Sequence, residues 1–339
     1  MQRFPYALEK PIMRGVIKSQ ASDFFVAEQL GFSLHGEGTH VWLYIEKKES
    51  NTSWVAEHIA KYAAVKPVAI GFAGLKDRQA VTRQWFSVNM AGKAEPDWLA
   101  LNSDKLRVLQ VERHDKKLKR GGLSHNQFEI VVRDLTGDAQ MLSERLKKVQ
   151  LMGFPNYFGP QRFGNNNSNI NQALVLFRSN KPLRKTRKQG IYYSAARSWI
   201  FNHVLAQRVS QKTWDQALVG DVAMLDGCQS VFLIETLDET VTQRMAHFDI
   251  HPTGPMWGVG RQQSGHEPAS IEAEIGKQYA DLADGLVRQG VASSRRSFRA
   301  QARSLDWLIN DQTLRLSFTL DKGCYATTLL RELIDFGES

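Results

Sequence analysis

Near the end of the chain, Thr313-Leu-Arg-Leu-Ser-Phe-Thr319 alternates apolar and polar residues at period two, and Tyr325–Phe336 follows with an amphipathic helical pattern that stops at Gly337. The first stretch reads as a half-buried strand and the second as a helix. Counted from Ser304, where strand signal resumes, they amount to about 35 residues, too few to bury a core of their own. They must therefore add to apolar surface built elsewhere, and residues 1–150 supply it. There His40–Glu46 (HVWLYIE) is aromatic and β-branched, as a strand covered on both faces would be. Asn51–Val65 places Val55, Ile59 and Ala63 at helical spacing behind a cap at Asn51 or Thr52. Val68–Phe72, Gln84–Val88, Leu106–Val111 and Phe128–Val132 are short strand candidates. Asp138 is placed to cap a helix reaching about Leu151, with Met141, Leu142, Leu146 and Val149 as its apolar stripe.

The texture changes after Gly153. Asn156–Asn169 (NYFGPQRFGNNNSN) is too polar for core and too aromatic for a flexible linker. Its Tyr157, Phe158 and Phe163, beside Arg162, suit either stacking on an exposed base or stapling a domain junction. Helical stretches follow at Ile170–Phe177, Ser194–Val209 and Ile271–Arg288, with a Gly- and Pro-bearing segment at His251–Pro268. The arrangement expected is α+β: a strand-containing domain built from both chain ends, with a mostly helical insertion between them.

Of 339 residues, 42% are hydrophobic and 23% charged, which excludes disordered and fibrous classes. Lys and Arg number 44 against 35 Asp and Glu, a net charge of +9 that favours a polyanionic partner, nucleic acid before membrane surface. Three runs concentrate the cations. Arg113–Arg120 holds Lys116, Lys117, Lys119 and Arg120; Arg178–Lys188 holds Arg184, Lys185 and Arg187; Arg295–Arg303 holds four arginines. Each suits tracking along phosphates, although any one run alone reads more simply as a solvated face. Two cysteines, Cys228 and Cys324, make neither a disulfide framework nor a zinc cluster, so a reducing compartment is expected. Without a membrane-spanning apolar run or a signal-peptide pattern, the chain is expected to be a soluble cytoplasmic protein.

The sharpest local feature is Gly71–Gln84 (GFAGLKDRQAVTRQ), a strand end entering a turn with Asp77 between Lys76 and Arg78. Two flanking cations favour the ionised carboxylate, a charged nucleophile or base at neutral pH. The competing reading is an Asp in an ordinary surface turn. Other patterns fail their own tests. His35-Gly-Glu-Gly-Thr-His40 lacks the spacing of the zinc helix motif, and Gly258-Val-Gly260 lacks the third glycine of the dinucleotide fingerprint. Phosphate-binding-loop and nucleophile-elbow patterns are absent from the sequence.

GFAGLKDRQAVTRQW (71–85), SHNQFEIVVRD (124–134), PNYFGPQRFG (155–164), SAARSWIFN (194–202) and GCYATTLLREL (323–333) resemble, in order and spacing, signature stretches of the tRNA pseudouridine synthase D (TruD) family. The resemblance runs from about Lys18 to Leu333. It implies a pseudouridine-synthase-like mixed sheet in a catalytic domain of residues 1–152 and 300–339, around a family-specific insertion at 153–299. It also implies isomerisation of uridine to pseudouridine in tRNA, at position 13 in the bacterial branch, with no cofactor, no metal and no protein partner, by a monomer. The family's nucleophilic aspartate falls on Asp77 and the lysine before it on Lys76. Substrate-pocket positions fall on Phe24, Asn126, Phe128 and Tyr325, with Lys18 a basic position of the pocket wall. Tyr325 stands where the family pattern has Phe, which preserves stacking and adds a hydroxyl.

That chemistry suits the residues. The N1–C1′ bond must break, the base turn over, and C5 join C1′. An ionised carboxylate serves by adding to C1′, adding to the base, or removing the 2′ proton. Glycosidases likewise set a carboxylate against positive charge developing at an anomeric carbon. Two rivals come from other classes. One is a non-catalytic RNA-binding or chaperone protein using the same basic surface; the other is an enzyme for free nucleosides or glycosides, which the charge disfavours.

Overall fold

The computed structural model describes residues 4–179, 187–261 and 263–337, those at 187 and 188 in backbone only. In chain order the first elements are β1 (Arg14–Ile17), β2 (Phe24–Gln29), β3 (His40–Lys48), α1 (Thr52–Tyr62), β4 (Ile70–Phe72), β5 (Val81–Asn89), β6 (Leu106–His114) and β7 (His125–Thr136). Next come α2 (Ala139–Met152), β8 (Phe154–Pro155), α3 (Ser168–Arg178), α4 (Arg187–Ser210), β9 (Val222–Leu225), β10 (Val231–Leu233), α5 (Glu239–Ala246) and β11 (Ile250–Met256). The remainder are α6 (His266–Gln278), α7 (Ala280–Arg288), β12 (Ser294–Ser297), β13 (Arg299–Ala300), β14 (Arg303–Asn310), β15 (Thr313–Asp321) and α8 (Ala326–Leu333). Among the described residues no helix is long and apolar enough to cross a membrane.

The chain divides into two units. One comprises Ile12–Ala139, Ala302–Gly323 and the segment from Asp335. Its sheet runs β14-β15-β7-β2-β5-β3-β6, with β1 added to β7 and β4 to β5. All pairs are antiparallel except β2 with β5. The alternating stretch at the chain end is β15, which lies between β14 and β7 and buries Leu314, Leu316, Phe318 and Leu320. It therefore completes a sheet begun near the start of the chain, at β1 and β2, as its isolated size requires. Strand β3 is covered on both faces. Val41, Leu43 and Ile45 meet Val55 and Ile59 of α1, while Trp42 packs with Trp85, Leu118 and Leu123. Gly71 permits a crossing here: a Cβ would lie 2.3 Å from the Leu118 carbonyl oxygen.

The other unit comprises Met1–Pro11, Gln140–Gln301 and Cys324–Ile334. Thus segments 1–11, 140–152 and 324–334, expected with the sheet, pack with the inserted residues. The three segments are tied to one another, since the buried Glu332 carboxylate accepts the Ala7 amide at 2.9 Å and Arg145 donates to the Glu332 and Glu9 carbonyls, and to the inserted residues through Phe4, which stacks on Tyr157 at 5.2 Å. Helices α3, α4, α6 and α7 enclose a core of Ala196, Ile200, Phe201, Leu205, Leu286 and Phe298. Tyr157, Phe158 and Phe163 belong to this core. Burial thus takes Tyr157 and Phe163 out of base stacking, despite their polar neighbours in sequence.

A four-stranded sheet, β10-β9-β11-β12, also stands where the sequence suggested only helices and irregular chain. Its β11 reads Ile-His-Pro-Thr-Gly-Pro-Met, a string of residues that ordinarily break strands. Gly254 is required there, since a Cβ would lie 2.4 Å from the Phe298 ring. The helical pattern at 271–288 is divided at Tyr279 into α6 and α7.

Candidate active site

Asp77 lies in the turn between β4 and β5, with its carboxylate 29% exposed. Lys18, in left-handed backbone at φ 58°, carries its ammonium group to that carboxylate in an ion pair. The same ammonium sits 4.7 Å from the Phe24 ring centroid. The Gln79 amide donates to the other carboxylate oxygen at 3.1 Å. Burial works to raise the Asp77 pKa, but the Lys18 hydrogen bond and charge, with the Gln79 and Arg78 amides, outweigh it and hold the carboxyl below its usual range.

The expected direction therefore holds, but the cation responsible is not the adjacent one. Lys76 turns away to the buried Glu28, 2.6 Å distant, whose second oxygen accepts the Trp85 amide at 3.0 Å. Sequence neighbours in a non-helical turn point apart, so adjacency in the chain is a poor guide to pairing.

The main chain of the turn is braced by buried side chains. Gln84 donates to the Gly74 carbonyl at 2.7 Å, and Thr52 accepts the Lys76 amide at 3.0 Å while donating to Gln84. Lys47 donates to the Asp77 carbonyl at 3.0 Å and to the Ser50 carbonyl at 2.6 Å. Sequence reading missed Glu28, Gln84 and Lys47, and offered Asn51 or Thr52 as the cap of α1; Asn51 takes that position and the Thr52 hydroxyl serves the turn. Lys47 did carry a signal, because period two places it after Val41, Leu43 and Ile45 on the buried face of β3.

Phe24 on β2 and Phe128 on β7 meet edge to face, 6.2 Å between centroids, and Phe128 stacks on Phe318 at 5.2 Å. Both are buried. Asn126 pairs in the ladder with Glu28 on one side and Leu320 on the other, and its buried side-chain oxygen has no hydrogen-bond partner among the described residues. Lys18, Phe24 and Asp77 thus form one cluster, with Phe128 joined through Phe24. On the basic run, Lys116, Lys119 and Arg120 are exposed, while Lys117 donates to the Val68 carbonyl.

In the other unit, Tyr325 immediately precedes α8, and its hydroxyl accepts from Arg162 at 2.8 Å. Arg162 also donates to Ser194 at 3.1 Å, so this guanidinium is directed inward. Arg296 lies 4.0 Å over Phe158 and donates to Asn156. Arg295 pairs with Glu272 at 2.7 Å, and the buried Arg299 donates to the Met245 and Ile250 carbonyls. Burial lowers the Arg299 pKa to about 10, with Asp215 and Asp226 opposing. The Arg295–Arg303 run is therefore largely internal wiring rather than a solvated phosphate-tracking face. Arg184 and Lys185 lie outside the described residues, as does the side chain of Arg187.

Among the described residues, the nearest approach to a metal-ligand set is His35, His114 and Asp115, whose ligand atoms lie within 4.8 Å of one another. The two imidazoles stack face to face, 4.4 Å apart and 4° from parallel, so their lone pairs run alongside one another rather than converging. The His35–His40 spacing plays no part in that cluster.

Comparison with known proteins agrees with the geometry. The sequence pattern of the family described as tRNA pseudouridine synthase D (TruD) matches residues 1–176 and 182–333. The tRNA pseudouridine synthase D of Nitrosococcus oceani is 42% identical over 336 residues, covering 98% of this chain and 94% of its own. That of Methylococcus capsulatus is 43% identical over 333 residues, again covering 98% and 94%. In three dimensions, a TruD crystal structure from Methanosarcina mazei superposes with a TM-score of 0.72 over 97% of this chain and 95% of that one, at 19% identity. It shares the fold. With a family pattern matched along nearly its whole length and full-length relatives at this identity, the chain belongs to the tRNA pseudouridine synthase D (TruD) family.

Proposed function

We propose that this protein, a tRNA pseudouridine synthase by family, isomerises uridine at position 13 of tRNA with Asp77 as its essential residue. The observation that carries this reading is a partly exposed carboxylate held ionised by Lys18, whose ammonium group also sits over the Phe24 ring. The N1–C1′ bond breaks, C5 bonds to C1′, and the proton lost from C5 is balanced by one gained at N1, so nothing else is consumed. Addition to C1′, addition to the base and removal of the 2′ proton all require Asp77 charged, which is the state its surroundings favour.

The target base must leave its stack to reach such a group. Phe24, beside the Lys18 ammonium group, and Phe128 against it are buried rings that pack the wall behind Asp77; Tyr325 is a partly buried ring suited to stacking, and the oxygen of Asn126 an acceptor suited to a uracil N–H. Lys18 and Lys76 act on Asp77 and its turn. Lys116, Lys119 and Arg120 are the exposed cations of their run and suit the RNA backbone. Residues 1–152 with 300–339 are read as the family's catalytic part and 153–299 as its insertion, a division of roles that differs from the compact units at 1–11, 140–152 and 324–334. The working state is a cytoplasmic monomer.

The test is pseudouridine mapping on unmodified tRNA incubated with wild type or Asp77→Asn. New pseudouridine at position 13 with wild type alone is the expected result. Tight binding without any pseudouridine would favour an RNA chaperone instead.

A further inference from the structure

Of the side chains that brace the Asp77 turn, one is a lysine in the protein interior. Lys47 is fully buried on β3, paired across to Thr82 of β5 and Leu106 of β6, neither of which titrates. Its ammonium group reaches two main-chain carbonyls, those of Ser50 and Asp77. A neutral donor would satisfy both, whereas an ammonium group must also be stripped of water at considerable cost. What the ammonium alone adds is positive charge and charge-strengthened hydrogen bonds directly behind Asp77.

We propose that Lys47 is a positioning residue for the isomerisation, its charged ammonium group fixing the main chain of the Asp77 turn so that the carboxylate meets the target nucleotide in one orientation. This role rests on Asp77 being the essential residue. It also makes activity depend on pH in an unusual way. Burial lowers the Lys47 pKa to about 8; Asp77 and Glu28 oppose that shift, and Lys76 adds to it. An unfolded lysine titrates near 10.4, so between about pH 8 and that value the unfolded chain holds a proton the folded chain has released. Stability contributed by Lys47 therefore rises with pH across that window, while the charge that positions Asp77 disappears. A lysine that merely supported the fold would move both quantities together.

Single-turnover pseudouridine formation on unmodified tRNA, with tRNA affinity and melting temperature measured alongside, tests this in wild type, Lys47→Met and Asp77→Asn. Wild type is expected to lose about tenfold in rate between pH 7 and pH 9 while its melting temperature holds or rises. Lys47→Met should be about a hundredfold slower at pH 7, as expected of a misplaced reacting group, with tRNA affinity within about twofold and no alkaline decline. A Lys47→Met protein that keeps both the wild-type rate and the alkaline decline overturns the role. So does a wild-type rate that falls only in step with melting, a measurement that needs no variant to fold. Full turnover in Asp77→Asn would overturn the reading of Asp77 itself; its loss, with Lys47→Met unchanged, would overturn the Lys47 role alone.

Discussion

The cationic side chains bonded in and behind the Asp77 turn are lysines; those around Phe158 and Phe298, in the other unit, are arginines. Lys18, Lys76 and Lys47 each aim one ammonium group at an oxygen, respectively the Asp77 carboxylate, the Glu28 carboxylate and the Asp77 carbonyl. Arg296 instead lies 4.0 Å over Phe158, and Arg208 lies 5.3 Å over Phe298 while pairing with Asp221 at 2.7 Å. The chemistry of the two head groups explains the division. An ammonium group is a compact charge whose pKa burial can move, so it can tune a neighbouring acid; a guanidinium stays charged, stacks on rings and satisfies several carbonyls at once. The comparison also qualifies the net charge of +9, because many of these cations are given to partners within the protein.

The division can be broken from either side. Asp77→Asn should cost about four decades of pseudouridine formation, or about 5.4 kcal/mol of barrier, with a melting temperature within a few degrees of wild type. A matching loss of stability would make the lysine cluster structural, like its counterpart. Removing Arg208 as Arg208→Ala should lower unfolding free energy by about 3–5 kcal/mol, because Asp221 would be left charged and buried. Denaturant titration reads that number, and a change below about 1 kcal/mol would mean the arginine centre carries little of the fold.

Lys18→Met sharpens the lysine side. Without its partner the Asp77 carboxyl should move upward, since burial is then poorly opposed, and the acid limb of the pH–rate profile should move to higher pH with it. The rate near neutrality should fall about a hundredfold. In wild type the lowered Asp77 pKa adds stability above the unfolded carboxyl's value and gives it up as pH falls through the folded one. An acid limb that stays in place would assign the Asp77 shift to the turn amides instead. The smallest effect is expected from Tyr325→Phe, which deletes the acceptor of the Arg162 hydrogen bond. Losing one such bond is worth about 0.5–1.5 kcal/mol, so steady-state kinetics should change by about tenfold at most.

How far the sequence could be read depended on whether a signal was local. Strands β3 and β15 showed because alternation and aromatic content are properties of neighbouring residues. The Asp77 turn showed because glycine, charge and strand end coincide within a dozen positions. Strand β11 stayed hidden because its prolines and glycine carry breaker signals, and only packing against Phe298 gives Gly254 a reason to be there. Tyr157 and Phe163 left base stacking and junction stapling both open because their sequence neighbours are polar, and the core they enter is completed by α4, α7 and Phe298, more distant in the chain.

The sequence by itself determined the composition class, the α+β pattern, the return of the chain end to the first sheet, and the aspartate that the family resemblance singles out. These follow from periodicity, from the minimum size of a core and from motif order, all of which a linear string contains. Tertiary structure decided which lysine meets Asp77, which one is given to Glu28, that Lys47 lies beneath the turn, and that the last arginine run faces inward. Each is a pairing across tens or hundreds of residues, and the free energy of a charge depends on its burial and its partner, which only the folded chain brings together.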